Sequence, residues 1–160
     1  KNVALVQRLW STRCLMLLCM PGTCPACGRH APRASTRSWA VSPYQNIDQE
    51  RRFIVLNGEV ICTYEKQPVE VDGLNMFNLG LGASALVSPS SSKVAQLAIT
   101  AAEVLGLRLA AVDIIQTSDG HKVLEANDGL MMENFMRQSA EYKQVGKEVY
   151  LQVITAMFRI

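Results

Sequence analysis

The amino-acid sequence predicts an α+β fold in which helices flank an antiparallel sheet. Runs rich in β-branched residues outnumber the helical patterns, and the turns between neighbouring runs are short enough for hairpins. In addition, 49% of the 160 residues are apolar and 19% are charged, which is typical of a globular chain with a hydrophobic core. The sequence therefore favours a sheet of consecutive hairpins over a helical bundle.

The first ordered region is predicted to be a hairpin. Two β-rich runs, 53–56 and 59–64, flank the dipeptide Asn57-Gly58. Asn and Gly both tolerate positive φ, which a type I′ turn requires at its two central positions. A loop-rich stretch over 68–92 follows this hairpin.

A helix is predicted next, over 93–105. Its apolar residues recur at 3.6-residue spacing, and Ser91 or Ser92 is suited to cap its first turn. Gly106 is suited to end it, because glycine readily adopts the left-handed conformation found after helices.

A second hairpin and a second helix complete the predicted elements. Two strands, 108–116 and 122–126, are joined by the turn Ser118-Asp119-Gly120. The last element is an amphipathic helix over 141–158.

The first 42 residues differ from the rest in composition. Residues 1–7 predict a short strand, whereas 8–42 contain five Arg, no acidic residue and four of the five Cys, without a regular period. We expect 8–42 to be unstructured, and one interpretation is a retained intron or out-of-frame translation. The alternative is a zinc-binding module in residues 14–30, because Cys24 and Cys27 have the spacing of half a structural zinc site.

Charge and hydropathy exclude several classes of function. Residues 43–160, the predicted main domain, contain 10 basic and 14 acidic side chains and so offer no broad positive surface to nucleic acid. The apolar run 14–20 is too short to cross a bilayer. Because the cysteines cluster instead of spreading through the fold, a secreted disulfide framework is not indicated, and we expect a cytoplasmic protein without membrane partners.

Three oxygen-bearing side chains form the strongest chemical signal. Asp113 lies on one predicted strand, and Glu125 and Asn127 lie on its hairpin partner. Side chains two positions apart on a strand project from the same face, and neighbouring strands are about 5 Å apart. Such a set favours Mg²⁺. The alternative is that Asp113 is a polar residue at a strand edge and Glu125 is solvated.

The order of these motifs resembles ATP-grasp enzymes, in particular the branch of ribosomal-protein glutamate ligases and related amino-acid ligases. Gly106-Leu107 leads into Val112-Asp113, and a hairpin returns Leu124-Glu125-Ala126-Asn127, with the spacing that the family uses. Upstream, Glu50-Arg51-Arg52 leads into a β-rich run and a glycine turn, as the family does. After Asn127 this chain has Asp128-Gly129 where that branch continues with a Ser-Pro-Gly loop.

The resemblance implies ATP and Mg²⁺ (or Mn²⁺) as cofactors, with small-molecule or peptide carboxylates and amines as substrates. It implies Arg52 as the catalytic contact to phosphate and Asp113, Glu125 and Asn127 as metal ligands. It also implies a nucleotide-binding set of Gln7, Glu50, Arg52, Lys66 and Asn78.

The resemblance covers the C-terminal half of the ATP-grasp core. The other half normally supplies a Lys-bearing strand and a Gly-rich loop, and residues 1–42 offer neither. We therefore expect a fragment that is inactive alone. The alternative is a catalytically inert interaction module derived from the same fold.

Overall fold

A computed structural model describes residues 46–71 and 73–158, which belong to one compact unit, Asn46–Ile160. The predictions for 1–7, for 8–42 with its zinc module, and for Gln7 lie outside the described residues. The domain boundary at 43 stays a prediction.

The centre of the fold is a five-stranded antiparallel sheet. Its strand order is β5-β2-β1-β6-β7, so that β1 and β6 are flanked on both sides. The prediction of an α+β fold with an antiparallel sheet is confirmed. The sheet strands are β1 (Gln49–Leu56), β2 (Glu59–Gln67), β5 (Ser84–Leu86), β6 (Leu109–Thr117) and β7 (Gly120–Asn127).

The remaining elements are a small hairpin and three helices. The hairpin pairs β3 with β4, and a 3-10 helix over Leu79–Leu81 follows it. These short elements lie in the stretch predicted to be loop, where three-residue strands leave no periodic signal. The strands of the small hairpin and the three α-helices are β3 (Val69–Val71), β4 (Leu74–Met76), α1 (Ser92–Val104), α2 (Glu133–Met136) and α3 (Ala140–Phe158).

Each face of the sheet has its own hydrophobic core. One face packs against α1 through a cluster that includes Phe53, Val55 and Val112. The other packs against α2 and α3 through a cluster that includes Ile54 and Tyr64. Alternation along β1 explains this division, because successive strand residues point to opposite faces.

The predicted turn and caps are confirmed. Asn57 and Gly58 both have positive φ, 51° and 83°. Ser91 caps α1 by accepting a hydrogen bond from the Val94 amide, and Gly106 follows the helix with a φ of 67°. The Leu107 amide donates back to the Ala102 carbonyl, which completes a Schellman motif.

Two β-bulges interrupt the sheet. The β1–β2 register shifts between Ile54 and Val55, and the β6–β7 register shifts between Asp113 and Ile114. Beyond each bulge, one strand presents the opposite set of side chains to a given face.

The helix α3 packs closely on α2 at one glycine. Gly146 is buried, and a Cβ placed on it would lie 2.6 Å from the Met136 sulfur. In contrast, the predicted apolar face is only partly used, because Val149 and Val153 are buried whereas Ile154 and Met157 are exposed.

Candidate functional site

Four charged side chains meet on the face that carries α2 and α3. Glu50 and Arg52 come from β1, Lys66 from β2 and Asp113 from β6. The pairing register places Glu50 opposite Lys66, and Arg52 opposite Asp113. Residues directly opposite each other in antiparallel strands share a face, so all four converge.

Asp113 is the centre of this network. Its Oδ1 accepts from Arg52 Nε at 2.7 Å, and its Oδ2 accepts from Arg52 Nη2 at 2.6 Å and from Lys66 Nζ at 2.8 Å. Burial would raise the Asp113 pKa, but Lys66 and Arg52 together hold it well below its usual range. Asp113 is therefore ionised at neutral pH although only 1% of it is exposed.

Arg52 and Lys66, the two basic residues of the network, are also in their charged form. Burial would lower the pKa of both, but attraction to Asp113 outweighs it and raises the pKa of Arg52 and of Lys66. Lys66 Nζ also donates to Glu50 Oε1, whereas Glu50 Oε2 is buried without a hydrogen-bond partner. Burial raises the Glu50 pKa despite the opposing effect of Lys66.

Glu125 and Asn127 extend the site at the neighbouring edge. Glu125 lies directly opposite Asp113, and Asn127 lies opposite Ala111, so both share the face of Asp113. Asn127 Nδ2 donates to Glu125 Oε1 at 3.0 Å, and Arg52 Nη2 lies 3.7 Å from the same oxygen. The strand persists to Asn127, as the metal prediction required.

The oxygen atoms of Asp113, Glu125 and Asn127 meet some of the requirements of a site for a divalent cation. Within 46–71 and 73–158 no cluster of three His, Cys, Asp or Glu side chains could hold a metal by itself. Asp113 and Glu125 are nevertheless adjacent, and burial together with the Asp113 charge raises the Glu125 pKa. A cation between them would relieve this repulsion, and the Asn127 amide adds a third oxygen.

Tyr64 was missed by the sequence reasoning. It lies opposite Arg52 on the same face, is fully buried, and has a hydroxyl without a hydrogen-bond partner. Its ring stacks on Phe135 at 4.5 Å, and Phe135 stacks on Tyr142 at 4.7 Å. A regular hairpin register would turn Tyr64 to the other face, so only knowledge of the bulge would have revealed it.

Other candidate side chains do not join this network. Asn78 is exposed, and its Oδ1 accepts from the Gly80 amide to cap the 3-10 helix. His121 is exposed on the β6–β7 hairpin, and burial raises the pKa of the Cys62 thiol to about 11. A thiol with that pKa is a poor nucleophile at neutral pH.

The opposite face has an ion pair of its own. Arg51 Nη2 lies 3.1 Å from Glu65 Oε2, and Arg51 also donates to the carbonyl and hydroxyl of Ser88. An open cavity of about 180 Å³ beside Arg51 reaches the start of α1. This pair has the same chemistry as the central network but lies on the α1 side of the sheet.

Comparison with known proteins defines the class as ATP-grasp. The RimK-like ATP-grasp domain model matches residues 41–148, and the chain belongs to this family. The resemblance to ATP-grasp enzymes of the glutamate-ligase branch is thereby confirmed.

The curated relatives are bacterial proteins described as probable alpha-L-glutamate ligases. The chain is 37% identical over 79 residues to the protein of Shewanella pealeana, which covers 49% of this chain and 17% of that protein. It is 37% identical over 76 residues to the Enterobacter protein, covering 48% and 25%. The chain thus spans a quarter or less of the length of these relatives.

Solved structures of the ATP-grasp ligase PsnB are similar to this chain. The complex with a minimal precursor has 24% identity and a TM-score of 0.49, covering 61% of this chain and 31% of that one. The complex with a phosphomimetic precursor variant, Mg and ADP has 22% identity and a TM-score of 0.47, covering 61% and 29%. Over the described residues of the present chain, no helix is long and apolar enough to cross a membrane.

Proposed function

We propose that residues 46–158 supply the metal- and phosphate-binding half of an ATP-dependent carboxylate–amine ligase. One observation carries the proposal. Two carboxylates, an amide, one buried cation and one half-buried cation from four adjacent strands converge on one face, in a member of a family whose ligases use ATP and Mg²⁺.

Asp113, Glu125 and Asn127 would hold the divalent ion. When bound, Mg²⁺ would neutralise the negative charge that develops on phosphate oxygens during phosphoryl transfer. The all-oxygen donor set matches the preference of Mg²⁺ for hard ligands. Mn²⁺ would suit the same oxygens.

Arg52 is the group that we assign to phosphate. Its guanidinium is planar, permanently charged and able to bind two oxygens at once. Its side chain is 18% exposed, whereas that of Lys66 is 7% exposed, so Arg52 is the more accessible cation. Lys66, the less exposed of the two, then acts as a fixed positive charge that keeps Asp113 ionised.

The reaction that fits this site is formation of an amide through an acylphosphate. A carboxylate oxygen of one substrate takes the γ-phosphoryl group of ATP, which leaves ADP. The amine of the second substrate then attacks the acyl carbon and releases inorganic phosphate and a proton. Neither step needs a nucleophilic side chain, which agrees with the high pKa of Cys62 and the exposed position of His121.

The predicted nucleotide contacts of Glu50, Asn78 and Gln7 are supported to different degrees. Glu50 is buried and pairs with Lys66, so we assign it to positioning that lysine instead of contacting nucleotide. Asn78 caps the 3-10 helix, and a nucleotide contact would require that cap to open. The contact of Gln7 with nucleotide stays a prediction.

Titration of Mg-ATP against the 160-residue chain tests the proposal. Glu125→Gln should weaken Mg-ATP binding by at least about tenfold, because loss of outer partners of metal ligands already costs that much. Glu65→Gln is the matched control: Glu65 also faces an arginine, and both side chains are 19% exposed, but it lies on the α1 face.

The result separates the proposal from the inert interaction module. Equal losses for both variants would point to a general effect of charge and would remove Glu125 from the site. No binding by the wild-type chain would contradict the proposed binding, and activity in a longer chain would then favour the fragment over the inert module. We also propose that the chain binds nucleotide without forming amide by itself, and release of phosphate in the presence of amine and carboxylate would contradict this.

A further inference from the structure

The hydroxyl of Tyr64 lacks a hydrogen-bond partner in the middle of the charged network. The residue is fully buried, and its oxygen is shielded from solvent. Burying a hydroxyl without a partner is destabilising, and nearly all buried polar groups in proteins are paired. A phenylalanine would fill the same space without this cost, so the hydroxyl calls for an explanation.

The Tyr64 ring is fixed by its neighbours and cannot turn to find a partner. It stacks on Phe135 of α2 with an interplanar angle of 23°, and Phe135 stacks on Tyr142 of α3 at 11°. The Tyr142 hydroxyl donates to the Ala85 carbonyl at 3.0 Å, which anchors the far end of the stack. The Tyr64 hydroxyl is therefore held at one place.

Tyr64 is the cross-strand neighbour of Arg52 on the same face of the sheet. Tyr64 and Arg52 are direct partners across β1 and β2, and the charges of Arg52 and Lys66 both act on the phenol. Arg52 uses Nε and one Nη2 hydrogen to hold Asp113, out of the five N–H groups that a guanidinium offers.

The Arg52 guanidinium occupies the Asp113 oxygens that a metal ion would need. Both Asp113 oxygens accept from Arg52, and Oδ2 also accepts from Lys66. If Asp113 turns an oxygen toward a metal ion, at least one N–H of Arg52 loses its acceptor. Because only 18% of the Arg52 side chain is exposed, an N–H of this group that faces away from solvent would need another acceptor.

We propose that Tyr64 is a positioning residue of the phosphate site, whose hydroxyl accepts an N–H of Arg52 when that guanidinium turns from Asp113 toward phosphate oxygens. This inference rests on the proposed function. With Arg52 Nε and Nη2 donating to Asp113, the Tyr64 hydroxyl is left without a hydrogen-bond partner. It orients the guanidinium in the nucleotide complex and touches no reacting atom.

Tyr64→Phe tests this inference because it removes only the hydroxyl and keeps the stacked ring. Without nucleotide, the urea midpoint of the variant should equal or exceed that of the wild-type chain. With Mg-ATP, its dissociation constant should rise about tenfold, which corresponds to one hydrogen bond to a charged group. A residue with a purely structural role would not show these two opposite effects.

Tyr142→Phe is the matched control at the other end of the same stack. Its hydroxyl has a partner, the Ala85 carbonyl, so the variant should have a lower urea midpoint and an unchanged affinity for Mg-ATP. The two substitutions delete the same atom from the same residue type. The deleted atom is hydrogen-bonded in part-buried Tyr142, whereas it is unpaired in fully buried Tyr64.

Each outcome decides the inference. Wild-type affinity in Tyr64→Phe would overturn it and leave the proposed function intact. A lowered urea midpoint for Tyr64→Phe without nucleotide would also overturn it, because the hydroxyl would then have a partner in the resting domain. Absence of Mg-ATP binding by the wild-type chain would overturn the proposed function and this inference together.

Discussion

Replacing Asp113 with Asn should destabilise the ligand-free domain strongly. Asp113 accepts three short hydrogen bonds from Arg52 and Lys66, and it is 1% exposed. The substitution keeps the shape of the side chain but removes the charge that compensates buried Lys66 and half-buried Arg52. Breaking a buried ion pair in this way costs about 3 to 5 kcal/mol.

The structure favours the lower end of that range. Lys66 would keep Glu50 as a partner, and Arg52 would keep Glu125 at 3.7 Å. The Asn oxygen would still accept one of the former hydrogen bonds. We therefore expect a loss of about 3 kcal/mol, which shifts the urea midpoint by about 1.5 M if the denaturant slope is about 2 kcal/mol/M.

Urea unfolding monitored by circular dichroism measures this shift. Asp119→Asn provides the control, because Asp119 pairs with Lys122 at 3.0 Å on the exposed hairpin turn and should leave the midpoint unchanged. A midpoint for Asp113→Asn within error of the wild-type value would refute the reasoning. Adding Lys66→Met to Asp113→Asn should cost less than the sum of the two single changes, because the variants share one network.

Three further predictions concern pH, capping and backbone conformation. Glu125→Gln should raise the melting temperature at pH 7. The folded-state pKa of Glu125 is raised, so the wild-type chain loses stability as the pH rises through that pKa. The gain in melting temperature should therefore vanish when the pH is lowered toward 3. An equal gain at pH 3 and pH 7 would contradict this. Ser91→Ala should cost about 1 kcal/mol in urea unfolding, because the α1 cap is lost; a Ser90→Ala variant, which leaves the cap in place, should not. Gly106→Ala should cost about 1 kcal/mol, because Gly106 has a φ of 67°; Gly129→Ala, which has open space around it and no positive φ, should cost less, and equal losses would argue against backbone strain.

Local rules predict the turns and caps because each depends on a few neighbouring residues. Asn57-Gly58 specifies its hairpin turn, and Ser91 and Gly106 specify the ends of α1. These features require no knowledge of distant parts of the chain.

The membership of the site could not be predicted from such rules, because it depends on the two bulges. A regular β1–β2 ladder from Val55 and Val60 would pair Arg52 with Thr63, whereas the structure pairs it with Tyr64. Bulges shift the register by one residue and so exchange the two faces of a strand. Without this shift, Lys66 would lie on the α1 side of the sheet.

The same argument applies to Asp113 and Glu125, the two carboxylates proposed to hold the metal ion. Extending the pair Ile114 and Val123 by one step would place Leu124 opposite Asp113, whereas the bulge brings Glu125 there. Strand spacing alone therefore did not determine that Asp113 and Glu125 are neighbours. The resemblance to the family carried that prediction.

The absence of a side chain at Gly146 affects the packing of the Tyr64 ring through α2. Any larger residue there would displace the Met136 side chain, and Met136 directly follows Phe135 in α2. Since Phe135 is the middle ring between Tyr64 and Tyr142, the volume at position 146 influences how firmly the Tyr64 ring is clamped. If residues 46–158 bind nucleotide as proposed, a larger residue at position 146 should therefore change the affinity for Mg-ATP through the packing of α2 and α3.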